Sequence, residues 1–132
     1  MLGIRKTAFF SSPIAKRIFS TSRRMASKQE WMVILPDKKD SLAARMKVRP
    51  DHLAALKPSV KSGFFVFGGA SLDEPVKEGE GPKINGSVMV AVAESKEEVL
   101  DKLKADVYYT SGVWDVEKLQ IFPFKSAIRS AL

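Results

Sequence analysis

The sequence predicts one α+β domain whose strands and helices follow the order β-α-β-β-α-β. Two observations support this prediction. Four short segments are rich in Val, Ile, Phe and Trp, as strands are. Two segments between them carry apolar residues at helical spacing. A length of 132 residues, 45% of them hydrophobic and 28% charged, suits one globular domain better than two.

The first strand and the first helix come from the early part of the chain. Residues 31–35 are an uninterrupted apolar run that ends at a Pro-Asp pair, which predicts a strand buried on both faces. We expect a helix over residues 50–61, with Pro50 in its first position, where the missing N–H costs nothing. Pro58 argues against the full length, because an interior proline kinks or ends a helix. The apolar stripe of this helix is formed by Leu53, Leu56 and Val60.

Three strands and a second helix follow. Residues 64–67 predict the second strand, which two glycines end, and residues 87–93 predict the third. Ser95 and Glu98 form a capping box that starts the second helix. Residues 116–124 supply the fourth strand, and its proline places its far end at a sheet edge. The second helix is expected to bury Val99, Leu100 and Leu103.

This order of elements is the split βαβ or ferredoxin-like arrangement, with two helices on one face of an antiparallel sheet. The other face should be polar if it meets water. However, residues 87–93 carry Val on one face and Met or Ala on the other, so both faces of the third strand are apolar. The expected cover for the second face is another copy of the same sheet. We therefore predict a homodimer formed through the sheet face.

The basic excess of the chain is concentrated at its N-terminus. Residues 1–24 hold six Lys and Arg side chains and no acid, while the remainder holds 16 basic and 15 acidic side chains. Because the body is nearly neutral, we expect no nucleic-acid partner. A Ser/Arg-rich, acid-free segment is typical of a mitochondrial transit peptide. The alternative is a basic arm that contacts nucleic acid or acidic lipid.

These features predict the domain organisation and the location. We expect a disordered transit peptide over residues 1–24, a linker at 25–29, the domain at 30–125 and a C-terminal tail at 126–132. The predicted location is the mitochondrial matrix, and Met25 could start a second, cytosolic form. No segment approaches the roughly 20 apolar residues that span a bilayer, so no membrane partner is expected.

The sequence contains one histidine, His52, and no cysteine. Disulfides, thiol nucleophiles and imidazole-rich or Cys-based metal sites are therefore excluded, and we expect neither a metal nor a cofactor. In the first helical turn, the helix dipole disfavours added positive charge, which favours a neutral imidazole suited to general-base work. The alternative is a partly buried histidine satisfied by one hydrogen bond.

The sequence around this histidine resembles a known family motif. Residues 41–53 are similar to the YCII-related (YciI-like) family, in which a polar segment with two arginines leads into an Arg-Pro-x-His-Leu helix start. The resemblance extends over about residues 30–125. Further matches in the family's order are found at residues 67–69, 86–87, 105–108, 112–114 and 121–124.

The resemblance implies a dimeric ferredoxin-like α/β barrel with an active-site dyad in a cleft, formed by His52 and Asp106. Val107 departs from the pattern, since the family usually has proline there. The backbone is then less fixed, which puts the direction of the Asp106 side chain in question. Arg49 and Arg45 could hold a carboxylate, phenolate or enolate by bidentate bonds. Ordinary surface charge, or an ion pair with Asp51 or Asp40, is the alternative for both.

Two functions are consistent with this sequence. One is a small, cofactor-independent acid–base enzyme of isomerase or lyase type, acting on a small oxygenated metabolite. The other is a non-catalytic dimer that binds a metabolite or a protein. A catalytic His52 should lie within hydrogen-bond reach of Asp106 and face a pocket with room for a small molecule.

Overall fold

A computed structural model describes residues 27–131 and confirms the α+β, ferredoxin-like architecture. Its four strands form one antiparallel sheet in the order β2-β3-β1-β4. The elements are β1 (Gln29–Pro36), α1 (Leu42–Lys61), β2 (Phe65–Leu72), β3 (Ile84–Ala93), α2 (Lys96–Lys104), α3 (Val107–Thr110), a 3₁₀ turn (Val116–Lys118) and β4 (Gln120–Phe124). The predicted transit peptide lies outside the described residues. Within them, no helix is long and apolar enough to cross a membrane.

The core lies between the sheet and its helices. On the central strand β1, Val33 pairs with Met89 of β3 on one side and with Ile121 of β4 on the other. All three side chains are buried in the main core cluster. Trp114 and Tyr108 are the largest fully buried side chains, and both join this cluster. The segment after α2 therefore supplies the two largest side chains of the core.

Helix α1 begins at Leu42, so the predicted start at Pro50 is wrong. Residues 42–49 are mostly Leu, Ala, Arg, Met and Lys, which are strong helix formers, and they extend the helix ahead of the proline. Both Pro50 and Pro58 lie inside the helix. Each removes the amide that would bond the carbonyl four residues earlier. Those carbonyls belong to exposed residues, where water can serve as the donor.

The orientation of α1 also differs from the prediction. Its buried side chains are Arg45, His52 and Ser59, which are spaced seven residues apart and lie on one face. Leu53 and Val60, expected to face the core, are 41% and 58% exposed. Arg45 and His52 can occupy the inner face because side chains from distant segments supply their hydrogen-bond partners.

The strand bounds differ from the sequence prediction at several ends. The strand β2 continues through Gly68 and Gly69, which pair with Met89 and Val88 of β3. β3 in turn begins earlier, at Ile84. These two strands form a long ladder whose backbone hydrogen bonds outweigh the weak strand preference of glycine. β4 is shorter than predicted, because residues 116–118 form a 3₁₀ turn.

Helix α2 matches its prediction closely. The Ser95 hydroxyl accepts a hydrogen bond from the Glu98 amide at 3.1 Å, and the Glu98 carboxylate accepts one from the Glu94 amide at 2.9 Å. This pair of bonds satisfies orphan amides at the helix start. Val99 and Leu103 are buried as expected, whereas Leu100 is partly buried.

The face of the sheet away from the helices is apolar, as the sequence indicates. Met32 pairs with Val90 and with Phe122, and strand alternation places these side chains on that face. Phe122 is 41% exposed and Phe67, at the edge of the same face, is 64% exposed. The homodimer through this face stays a prediction.

Candidate functional site

A cavity of about 410 Å³ lies between α1 and the β2–β3 ladder. Four of the predicted site residues line it: Arg45, Arg49, His52 and Asp106. The cavity exists partly because Gly68 and Ala70, which pair with core-facing residues of β3, carry little or no side chain. Its volume is within the range of sites for small molecules.

The structure brings His52 and Asp106 together, although 54 residues separate them in the chain. His52 Nδ1 lies 2.8 Å from Asp106 Oδ1, and both side chains are about nine-tenths buried. Asp106 is also the N-cap of α3, since the same Oδ1 accepts a hydrogen bond from the Tyr108 amide at 2.8 Å. The cap fixes the carboxylate, so valine at position 107 does not turn it away from the histidine.

His52 lies in the middle of α1, not in its first turn, so the predicted effect of the helix dipole does not apply. Its ring is held by two aromatic side chains instead. It stacks on Tyr108 with centroids 3.9 Å apart and an interplanar angle of 18°. It also meets Trp114 edge-on at 6.2 Å and 87°. These contacts and the Asp106 bond together fix the plane of the imidazole.

Arg45 is part of a buried polar network behind the dyad. Its Nη1 donates to both carboxylate oxygens of Asp37, at 2.7 and 2.8 Å, and its Nη2 donates to the Ser87 hydroxyl at 2.9 Å. Its guanidinium also lies 4.5 Å from the centre of the Tyr108 ring. Burial raises the pKa of Asp37, and the Arg45 charge opposes that rise. Arg45 thus forms an ion pair, but its partner is Asp37 and not the expected Asp51 or Asp40.

Sequence reasoning did not select Asp37 or Ser87 for the site. The Trp114 indole donates to the Ser87 hydroxyl at 3.1 Å, so this hydroxyl accepts hydrogen bonds from both Arg45 and Trp114. The only local signals were the Pro-Asp pair after β1 and the Gly-Ser pair in β3, both of which are common at turns. Their role depends on contacts that only the folded chain creates.

Arg49 has a different environment from Arg45. It is exposed, it lines the cavity, and in the described part of the chain it forms no ion pair. Burial raises the pKa of Tyr108, and the positive charges of Arg45 and Arg49 act in the opposite direction. The charge of Arg49 is therefore close enough to act on the Tyr108 hydroxyl. Arg49 is therefore placed to meet an anionic group in the cavity.

The arrangement can move a proton next to a bound oxygen atom. An ionised Asp106 can only accept hydrogen bonds, so in the neutral form of His52 the proton lies on Nδ1 and the lone pair on Nε2. Residues 27–131 contain no group of three or more acidic or histidine side chains placed to hold a metal ion.

Comparison with known proteins identifies relatives of this chain. The family model of the YCII-related domain matches residues 30–125. Fusaric acid biosynthesis protein 2 of Gibberella fujikuroi is 41% identical over 98 residues, which cover 74% of this chain and 94% of that protein. Protein YciI of Escherichia coli is 32% identical over 95 residues, covering 72% of this chain and 95% of YciI.

A solved structure shares the fold. It is the 5-chloro-2-hydroxyhydroquinone dehydrochlorinase TftG of Burkholderia phenoliruptrix, in complex with 2,5-dihydroxybenzoquinone. Its TM-score is 0.62 at 24% identity, and the match covers 73% of this chain and 93% of the other. The family match and the shared fold agree with the motif around His52. The chain belongs to the YCII-related domain family.

Proposed function

We propose that this protein is a cofactor-independent acid–base enzyme of isomerase or lyase type that acts on a small oxygenated metabolite. The observation that carries the proposal is the 2.8 Å bond between His52 Nδ1 and Asp106 Oδ1 at the wall of a 410 Å³ cavity. A small-molecule catalytic role also agrees with two relatives, one named for fusaric acid biosynthesis and one named a dehydrochlorinase.

In the proposed reaction, Nε2 of His52 takes a proton from a C–H or O–H group of the substrate. The electron pair left behind moves onto a substrate oxygen, and Arg49 stabilises the resulting negative charge. Asp106 stabilises the imidazolium that forms. In an isomerisation, His52 returns the proton to another atom of the substrate. In an elimination, the electron pair expels a leaving group as an anion.

Solvent deuterium exchange tests this proposal without knowledge of the full reaction. The protein would be incubated in D₂O with small ketones, phenols and hydroxyquinones, and exchange at carbon followed by NMR. We expect His52→Ala to lower the exchange rate by roughly 10²- to 10⁴-fold, the usual contribution of a general base. Asp106→Asn should also lower it, because asparagine can still cap α3 but carries no charge.

The matched control is Lys57→Gln, which removes an exposed cation from α1 that does not line the cavity. Its exchange rate should equal that of the wild type. Exchange that continues unchanged in His52→Ala would contradict the proposal.

The alternative is a non-catalytic module that binds a metabolite, with His52 serving only as a hydrogen-bonding group. The cavity supports binding as well as catalysis. A ligand that binds wild type and His52→Ala equally well, with no exchange in either, would favour this second function.

A further inference from the structure

The lining of the cavity changes from polar to apolar along α1. Its polar end holds Arg49, His52 and Ser87, while Leu56 and Val60 lie on the later turns of the helix. Arg49 and Val60 are 11 residues apart, which is about 16 Å along a helix. Beyond α1, the apolar part is completed by Phe65, Val66, Met89 and Leu103.

The polar end presents hydrogen-bond donors. A serine hydroxyl has one proton and two acceptor lone pairs, whereas arginine and tryptophan side chains can only donate. Arg45 and Trp114 both donate to Ser87, so both lone pairs are occupied and its proton must go elsewhere. No described residue accepts that proton, although Ser87 is only 4% exposed. The hydroxyl is thus a buried donor at the cavity wall, on the same side as Arg49.

We propose that the ligand of this cavity is an amphipathic oxyanion: a small carboxylate, phenolate or enolate with an aliphatic or aromatic body. The proposal rests on the proposed function, since it concerns the same site. The anionic oxygen accepts from Ser87 and Arg49 at the polar end. The hydrocarbon body lies between α1 and β2, against Leu56 and Val60. Ser87 selects for an acceptor oxygen, because a donor group there would leave its buried proton unpaired.

A series of simple acids tests the apolar end. Acetate, butanoate, hexanoate and octanoate would be titrated into the full chain, with affinity measured by NMR or calorimetry. Affinity should rise by about fourfold for each methylene group that enters the cavity. Hexanamide should bind at least tenfold more weakly than hexanoate, and hexylamine more weakly still. Equal affinity for all four acids, or for hexanoate and hexylamine, would overturn the proposal.

Two matched variants locate the hydrocarbon. Val60 and Val76 are 58% and 59% exposed, but only Val60 lines the cavity. Val60→Asp should weaken hexanoate much more than acetate, whereas Val76→Asp, which adds the same charge elsewhere, should change neither. Equal effects of the two variants on hexanoate would place the hydrocarbon outside this cavity and contradict the inference.

Two further variants test the polar end. Arg49→Gln should weaken every acid by a similar factor and keep the dependence on chain length. Ser87→Ala should weaken hexanoate roughly tenfold, while Ser87→Thr, which retains the hydroxyl, should weaken it less. If Ser87→Ala does not fold, the comparison of hexanoate with hexylamine on the wild type decides the point, because an ammonium group can only donate.

The binding measurements also separate this inference from the proposed function. They involve no proton transfer, and they can be repeated on His52→Ala. Chain-length dependence without any deuterium exchange would leave the inference standing and contradict the enzyme. Deuterium exchange that depends on His52, with an affinity that does not change with chain length, would support the enzyme and contradict the inference about the ligand.

Discussion

At the scale of single residues, Asp106 links the helix that it starts to the histidine that it orients. Its Oδ1 atom accepts one hydrogen bond from the Tyr108 amide and one from the His52 ring nitrogen Nδ1. The cap is a feature of the local sequence, but His52 lies on α1, 54 residues earlier in the chain. The motif around His52 could therefore predict the pairing only through resemblance to a family. Arg45 shows the limit of that approach, since its partner Asp37 was not among the expected ones.

The Arg45–Asp37 pair leads to a prediction about stability. Both side chains are nearly fully buried, at 6% and 4% exposed. Asp37→Ala would leave the arginine charge buried without a counter-charge, and we expect a loss of about 3–5 kcal/mol in the free energy of unfolding. Denaturant unfolding would measure it.

An exposed ion pair provides the control for this prediction. Lys118 lies 3.9 Å from Asp115 and is 72% exposed. Lys118→Ala should therefore change stability by less than about 1 kcal/mol. Similar losses for the two variants would show that the buried Arg45–Asp37 pair contributes no more to the free energy of unfolding than an exposed pair does.

At the scale of elements, local patterns predict some parts of the fold and fail for others. The strand β1 and the helix α2 were predictable, because an apolar run and a capping box are properties of adjacent residues. The start and the buried face of α1 were not, because the partners of its polar stripe come from the residue after β1, from β3 and from the start of α3. The apolar spacing of Leu53 and Val60 was real, but it faces the cavity rather than the core.

The attachment of the C-terminal segment to β1 should depend on pH. Glu30 accepts hydrogen bonds from the Ser126 amide at 2.9 Å and the Ser126 hydroxyl at 2.8 Å, and it also pairs with Arg129. The Ser126 bonds, reinforced by Arg129, lower the pKa of Glu30 from 4.5 to about 2. A lowered pKa stabilises the folded form above pH 4.5, and this contribution is lost as pH falls from 4.5 towards 2.

We therefore expect the Ser126 amide resonance to titrate in NMR with a midpoint near pH 2, where Glu30 becomes protonated. Glu30→Gln should remove this titration. Glu117→Gln, an exposed change in the 3₁₀ turn, should leave it intact. A midpoint at the ordinary value of 4.5 would show that the Ser126 bonds do not hold the carboxylate in solution.

At the scale of the whole molecule, the uncovered sheet face supports our proposal of a homodimer. An apolar face of this kind is costly to leave in water, and a second copy of the sheet is a self-complementary cover. Light scattering at micromolar concentration should give twice the mass of one chain. Phe122→Lys, on the edge strand β4 of this face, should shift the equilibrium to monomer.

A matched surface change keeps the dimer prediction testable. Val76 is 59% exposed and belongs to the loop between β2 and β3, outside the sheet, so Val76→Lys should leave the mass unchanged. A wild-type chain that remains monomeric would remove the proposal.

The inverted orientation of α1 has a consequence for how such a protein can diversify. Its aliphatic side chains at the cavity, including Leu53 and Val60, are substantially exposed and contribute little to the core. Substitutions there should change which molecule fits without endangering the folded state. The ligand preference of this fold can thus change along one helix face, while Arg45 and His52 stay buried on the other.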